Sequence, residues 1–424
     1  MNTPTYRPAC FNAPIGLISL RLLIFALLLV GMSPIAVASI APYTPASDDT
    51  VLQHVPTTTD PRVRQFEQLA TQARRTPADR SLAITLSQAY IDYGRSTGDA
   101  RFLGRALAPI EPWLDDTPVP ADVLIVHATI LQSRHQFDAA RTELKTALQA
   151  LPGNAQAWLT LATVDMVQGR FADARSDCVH ATNTGGTYLA ALCNGGLLSL
   201  TGHADKAYSL LGFVEQGGPQ IPIEVSAYVQ GLLADAALRL GKRDAAGTHF
   251  QRGLQLTPGD NFLLADYADF LLDDKRYADV IELLAPYTDS DTSFLRLVYA
   301  RAALAKPGAV ADIQAMADRF AAMDARGSHL YRREQAAFVL YMRNQPDHAL
   351  TLAQENWQVQ RAPQDVRVLL ETSLAAGKPD AAQPALDFIQ RSGLQDPIID
   401  RLANKARKAL AAVPRGLPTT EQLR

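Results

Sequence analysis

The chain has 424 residues, 47% of them apolar and only 7% aromatic, with a formal net charge of −3. That balance offers no basic footprint for a phosphate backbone, so nucleic acid is not an expected partner. So low an aromatic content suits thin layers packed with Ala and Leu better than one large globular core.

The N-terminal 38 residues hold no acidic residue; Arg7 and Arg21 are their only charged side chains. An apolar run from Leu22 to Met32 follows, then Ser33-Pro34 and the small-residue triplet Ala36-Val37-Ala38. A basic region, a short apolar run and an A-x-A site resemble a bacterial secretory signal peptide spanning 1–38, cut after Ala38. The expected destination is the periplasm, with no stable membrane span after cleavage. The alternative is an uncleaved N-terminal helix that anchors the chain in the inner membrane, facing the periplasm. No Cys stands just after the apolar run, at the cleavage region, which argues against lipidation.

Residues 39–59 are rich in Pro, Thr, Ser and Asp and lack periodicity, so they read as a linker. Asp60-Pro61 is a helix start, and Val63, Phe66, Leu69, Ala70 and Ala73 share one face. The segment 60–78 is therefore predicted to be an N-terminal capping helix. From 79 to 394 one pattern recurs in about eight to nine copies of thirty-odd residues, which means stacked helical hairpins. The clearest copy, from Ala155, carries Trp158, Leu161, Ala162, Gly169, Phe171, Ala174, Cys178 and Ala181. The copy before it carries Leu124, His127, Ala128, His135, Phe137, Ala140, Leu144 and Ala147, closed by Pro152. Further copies start near Arg80, Tyr188, Ala227, Asn261, Leu330 and Pro363, with a degenerate one from Asp291. Gly169, Gly202 and Gly241 close first helices, and Pro residues stop second helices. A last apolar-faced helix occupies 395–412 as a C-terminal cap, and 413–424 is expected to be disordered.

This pattern resembles the tetratricopeptide repeat family over about residues 60–410. The resemblance implies an all-α solenoid, a right-handed superhelix of helix-turn-helix repeats whose first helices line a concave groove. It also implies a protein-binding role. The family's groove positions fall here on Leu159, Thr163, Met166 and Val167, and on Tyr228, Asp235 and Arg239. They continue with Phe262, Asp269 and Asp273, and with Tyr331, Glu334, Phe338 and Tyr341. The C-terminal half of the groove thus mixes aromatics, suited to rigid contact, with acids; the bland alternative is a solvated or packed face. One branch of the family clamps a C-terminal carboxylate with Lys and Asn. Here those places hold Ile84, Ile125, Leu159, Gly231 and Ala265, so that function is disfavoured.

Cys178 and Cys193 lie at similar distances either side of a predicted turn at Thr184 to Thr187, which puts them at one height in an antiparallel hairpin. They are either a disulfide or two buried core thiols. With His180 and His203 they fit no compact metal motif, and no metal or cofactor is expected. Gly94-Arg95-Ser96-Thr97-Gly98 spells G-x-S-x-G but joins two helices, where a nucleophile elbow needs a preceding strand. No catalytic constellation emerges. The expected function is a non-catalytic periplasmic scaffold or adaptor for other proteins of the cell envelope, in assembly or export. The alternative is an accessory subunit of an envelope enzyme or transporter, such as one for polysaccharide synthesis or export.

Overall fold

The computed structural model describes residues 60–217 and 221–412. The expected signal peptide with its cleavage site, the expected linker and the C-terminal tail lie outside the described residues. Every regular element among the described residues is helical.

The helices follow in hairpins. Pro61–Arg75 (α1) leads into Arg80–Thr97 (α2) and Arg101–Ile110 (α3), then Ala121–Ser133 (α4) and Phe137–Ala150 (α5). Ala155–Val167 (α6) pairs with the first arm of Phe171–Leu200 (α7), and the second arm pairs with Ala204–Gly217 (α8). Ile223–Arg239 (α9) and Arg243–Leu256 (α10) come next, then Asn261–Asp273 (α11) and Tyr277–Leu284 (α12). Asp291–Ala303 (α13), Ala309–Ala325 (α14), Arg332–Arg343 (α15), Pro346–Val359 (α16) and Pro363–Ala375 (α17) continue the series. Gln383–Ser392 (α18) and Pro397–Ala412 (α19) end it.

Local chemistry sets these boundaries. Side chains of Asp60, Asp79, Asn154, Asp260 and Ser290 accept backbone N–H groups in the first turns of α1, α2, α6, α11 and α13. First helices close on a residue with positive φ. It is Gly at 169, 202, 241 and 377, but His135, Lys275, Ala305 and Asn344 occupy the same place elsewhere. Small residues let paired helices touch: Ala128, Ala140, Ala147, Ala162, Ala174 and Ala181 are all fully buried. The core is a series of thin apolar layers between hairpins, thickest from α13 to α19.

Between the two arms of α7 the chain turns at Gly186 (φ 77°), inside the predicted turn. Cys178 and Cys193, one on each arm, are joined by a disulfide with Cα atoms 5.4 Å apart.

The hairpins also meet across long stretches of sequence. The C-terminal ends of early first helices sit on the N-terminal ends of late ones. Gly98, after α2, lies against the Asn261 side chain at the start of α11. After α6, the carbonyls of Val167 and Gln168 accept the Arg361 backbone N–H (2.7 Å) and guanidinium (2.9 Å). Gly169 faces the Phe388 ring, which also packs on Phe171 and Trp357. Gly202, after α7, lies on the Gly393 carbonyl before α19. A cation and N–H donors at helix C-termini are the complement that the exposed carbonyls and the helix dipole favour.

Candidate functional site

The groove follows from helix periodicity. On α11, Phe262, Asp266, Asp269 and Asp273 are spaced four, three and four apart, which puts them on one stripe. The opposite face of α11, with Leu264, Tyr267, Ala268 and Leu271, is buried against α10 and α12. Equivalent stripes carry Tyr228 and Asp235 on α9, Tyr299 on α13, Glu334 and Tyr341 on α15, and Arg367 and Glu371 on α17. These stripes face one another: Tyr228 feels the charges of Arg95, Asp235 and Asp266, while Tyr299 feels Arg296, Asp269 and Glu334.

Three aromatic rings stand open in this groove. Phe262 is 60% exposed, Tyr228 54% and Tyr341 51%. Around them most charges are tied. Arg296 holds Asp269 at 2.6 Å, and Arg367 holds Asp273 at 2.8 Å and Glu371 at 2.9 Å. Arg333 lies 2.5 Å from Glu334 and 3.6 Å from Asp365. Burial opposes charge on Glu334, but Arg333 and Arg296 outweigh it and hold the carboxyl below its ordinary value. Burial raises Tyr331, with Glu334 beside it, to about 12.

Asp92 and Asp266 differ. Neither has a cation within salt-bridge distance among the described residues. Asp266 is reachable by solvent yet deep between the groove walls; desolvation, with Asp269 next, pushes it up to about 7. Burial raises Asp92 too. On the same helix as Asp92, Arg95 bonds the neutral side chains of Ser133 and Gln132, each at 3.2 Å. The groove therefore offers rigid aromatic contact, two carboxyls without partners and one guanidinium held by neutral groups.

Several residues expected to line the groove do other work. Phe338 is 2% exposed and packs on Phe320 in the core, because α15 begins at Arg332 and turns position 338 inward. Arg239 is 7% exposed, and its guanidinium is spent on Asp235 (2.6 Å) and Ser199 (2.9 Å). Tyr331 stands at the N-cap of α15, half-buried. In the third unit Met166 is buried and Leu159 half-buried. Asp92, Arg95, Asp266, Arg296, Tyr299, Arg333 and Arg367 were not anticipated. A helical stripe drawn from Phe262 reaches Asp266, whereas the family positions skip it. Tyr299 lies in the degenerate unit, where no positions were carried over. Ser96 of the G-x-S-x-G run donates to the Tyr93 carbonyl and accepts from Arg62.

Residues 131–176, from the end of α4 into α7, match a family model described as tetratricopeptide repeat. This stretch is a tetratricopeptide repeat, and the all-helical solenoid is of that type. No curated protein matches the chain. Among solved structures, this tetratricopeptide solenoid resembles a thermophilic repeat protein of the same kind from Thermus thermophilus (20% identity, 44% of this chain and 99% of that one, TM-score 0.36). It also resembles PilF of Pseudomonas aeruginosa (19% identity, 51% and 97%, TM-score 0.34). A third is a Rap protein solved with competence and sporulation factor (11% identity, 82% and 98%, TM-score 0.47). None of the three carries an argument about what this chain binds. No helix among the described residues is long and apolar enough to cross a membrane.

Proposed function

We propose that the chain is a non-catalytic scaffold that holds an extended segment of a partner protein in the groove of its first helices. One observation carries this: Tyr228, Phe262 and Tyr341 leave more than half their surface open on an inner face whose other charges are mostly paired. Large rings of this kind are the usual anchors of protein interfaces, since they give area at small entropy cost. Asp92 and Asp266, without salt-bridge partners, favour a segment that presents Lys or Arg between apolar side chains.

The Cys178–Cys193 bond supports an oxidising compartment, as does the N-terminal basic and apolar pattern ending at Ala38. We place the scaffold in the periplasm, in an assembly or export system of the cell envelope. The test is crosslinked capture from envelope extract by wild type and by Tyr228→Ala/Phe262→Ala/Tyr341→Ala. The substituted rings are exposed, so helicity by circular dichroism should be unchanged. A discrete partner lost by the triple variant is expected; the same partner kept by it would place the interface elsewhere.

A further inference from the structure

On the side of α6 away from its groove stripe, α5, α6 and the first arm of α7 form an open pocket of about 310 Å³. Its wall is apolar and rigid. Trp158 is fixed by its N–H to the Pro152 carbonyl (2.9 Å) and stacked on His180 with centroids 4.2 Å apart; Leu148 and Leu161 continue the surface. Its floor is a pair of carboxyls. Asp165 is fully buried and Asp177 is 7% exposed, and an Oδ2 of each lacks a hydrogen-bond partner.

The charges around this floor do not balance. Arg141 bridges Asp165 and Asp173, at 2.6 Å to each. Arg170 reaches Asp165 only at 3.9 Å, and its nearer partner is Asp138 at 3.0 Å. Lys145 stands exposed at the rim. Asp177 has no cation within salt-bridge distance among the described residues. Burial, and then the charge of Asp165, push its carboxyl up to about 7. Below about pH 7 a proton on Asp177 therefore removes one negative charge from the floor.

We propose that this pocket binds an alkylguanidinium, with its planar fork on the Asp165 and Asp177 carboxyls and its alkyl stem along Trp158, Leu148 and Leu161. Two carboxyls that line one pocket, each with an oxygen without a donor, suit two parallel N–H groups, which a guanidinium presents and an ammonium does not. The volume lies at the small end of ligand sites and fits one such side chain. The bound cation replaces the proton on Asp177, so one positive charge enters as one leaves. The guanidinium comes either from a free small molecule or from an arginine of a partner protein. This site is separate from the groove, and its test does not depend on the groove reading.

The test is calorimetric titration of the full chain at pH 6 in two buffers of different protonation heat. The probes are agmatine and an acetyl-Gly-Arg-Gly-amide peptide. At least one should bind with net proton release, and Asp177→Asn should weaken it at least about tenfold, the scale of a lost charge-assisted hydrogen bond. Lys145→Ala, which removes the competing rim cation, should tighten binding about two- to fivefold. Agmatine binding as well as the peptide marks a free ligand; peptide binding alone marks a partner's arginine. Failure of both probes with wild type and with Lys145→Ala overturns the proposal, as does binding that ignores Asp177→Asn. Should Asp177→Asn misfold, binding with neither proton release nor tightening by Lys145→Ala overturns it as well.

Discussion

Burial and the neighbouring Asp165 take the Asp177 carboxyl from an ordinary 3.8 to about 7. The folded chain thus holds a proton that the unfolded chain releases between those values, and stability from this group falls as pH rises from about 4 to 7. Asp173 and Asp165 add to the effect, while Lys145 opposes it. Asp177→Asn keeps the shape without the charge. It should leave the melting temperature near wild type at pH 4 or below and raise it at pH 8; a variant that melts with the wild-type pH dependence would contradict this. A second prediction concerns Ala305, which closes α13 with φ 48° where other units place Gly. A left-handed Ala costs about 1–2 kcal/mol and the greater unfolded-chain entropy of Gly offsets part of that, so Ala305→Gly should gain about 0.5–1 kcal/mol in a urea titration. No gain would mean that the position is strained for another reason. At this scale the sequence was partly legible. The positions of Tyr228, Phe262 and Tyr341 could be read from the repeat register. Burial of Phe338 could not, because it depends on where α15 starts, and Tyr331 caps that helix rather than entering it.

Helices were the most legible level. Asp60, Asp79, Asn154 and Asp260 are capping residues followed by apolar periodicity, and each caps a helix here. The turn within α7 was visible as a cluster of Thr, Asn and Gly, and Gly186 carries it. The disulfide fastens the two arms across that turn. Its cysteines are 15 residues apart, and a closed loop of that length stabilises by about 3 kcal/mol in the chain-entropy account. Reduction should therefore lower stability by about 2–3 kcal/mol in urea with and without dithiothreitol, with helicity kept. Equal midpoints would show that the bond constrains little.

At the scale of the whole solenoid, the contacts that bring late units onto early ones left no trace in the repeat pattern. A period of thirty-odd residues reports neighbours, while Gly98 with Asn261, Val167 with Arg361 and Gly202 with Gly393 join distant units. Such contacts depend on how much each hairpin rotates on the last, and that rotation is a sum of small packing angles. Phe388 is 4% exposed and lies where α18 meets α6 and α7. Phe388→Ala should cost about 3 kcal/mol or more and speed amide exchange at Arg361, whose N–H bonds the Val167 carbonyl. Unchanged exchange there would mean that the two ends are held by other contacts.

The most direct test of that role is photo-crosslinking in living cells, with a benzophenone amino acid placed in turn at Phe262, Tyr341 and Val179. Val179 is 53% exposed on α7, outside the groove stripes. The groove reading predicts a discrete adduct from positions 262 and 341 and none from 179. Adducts from 179 with none from the groove positions would contradict it.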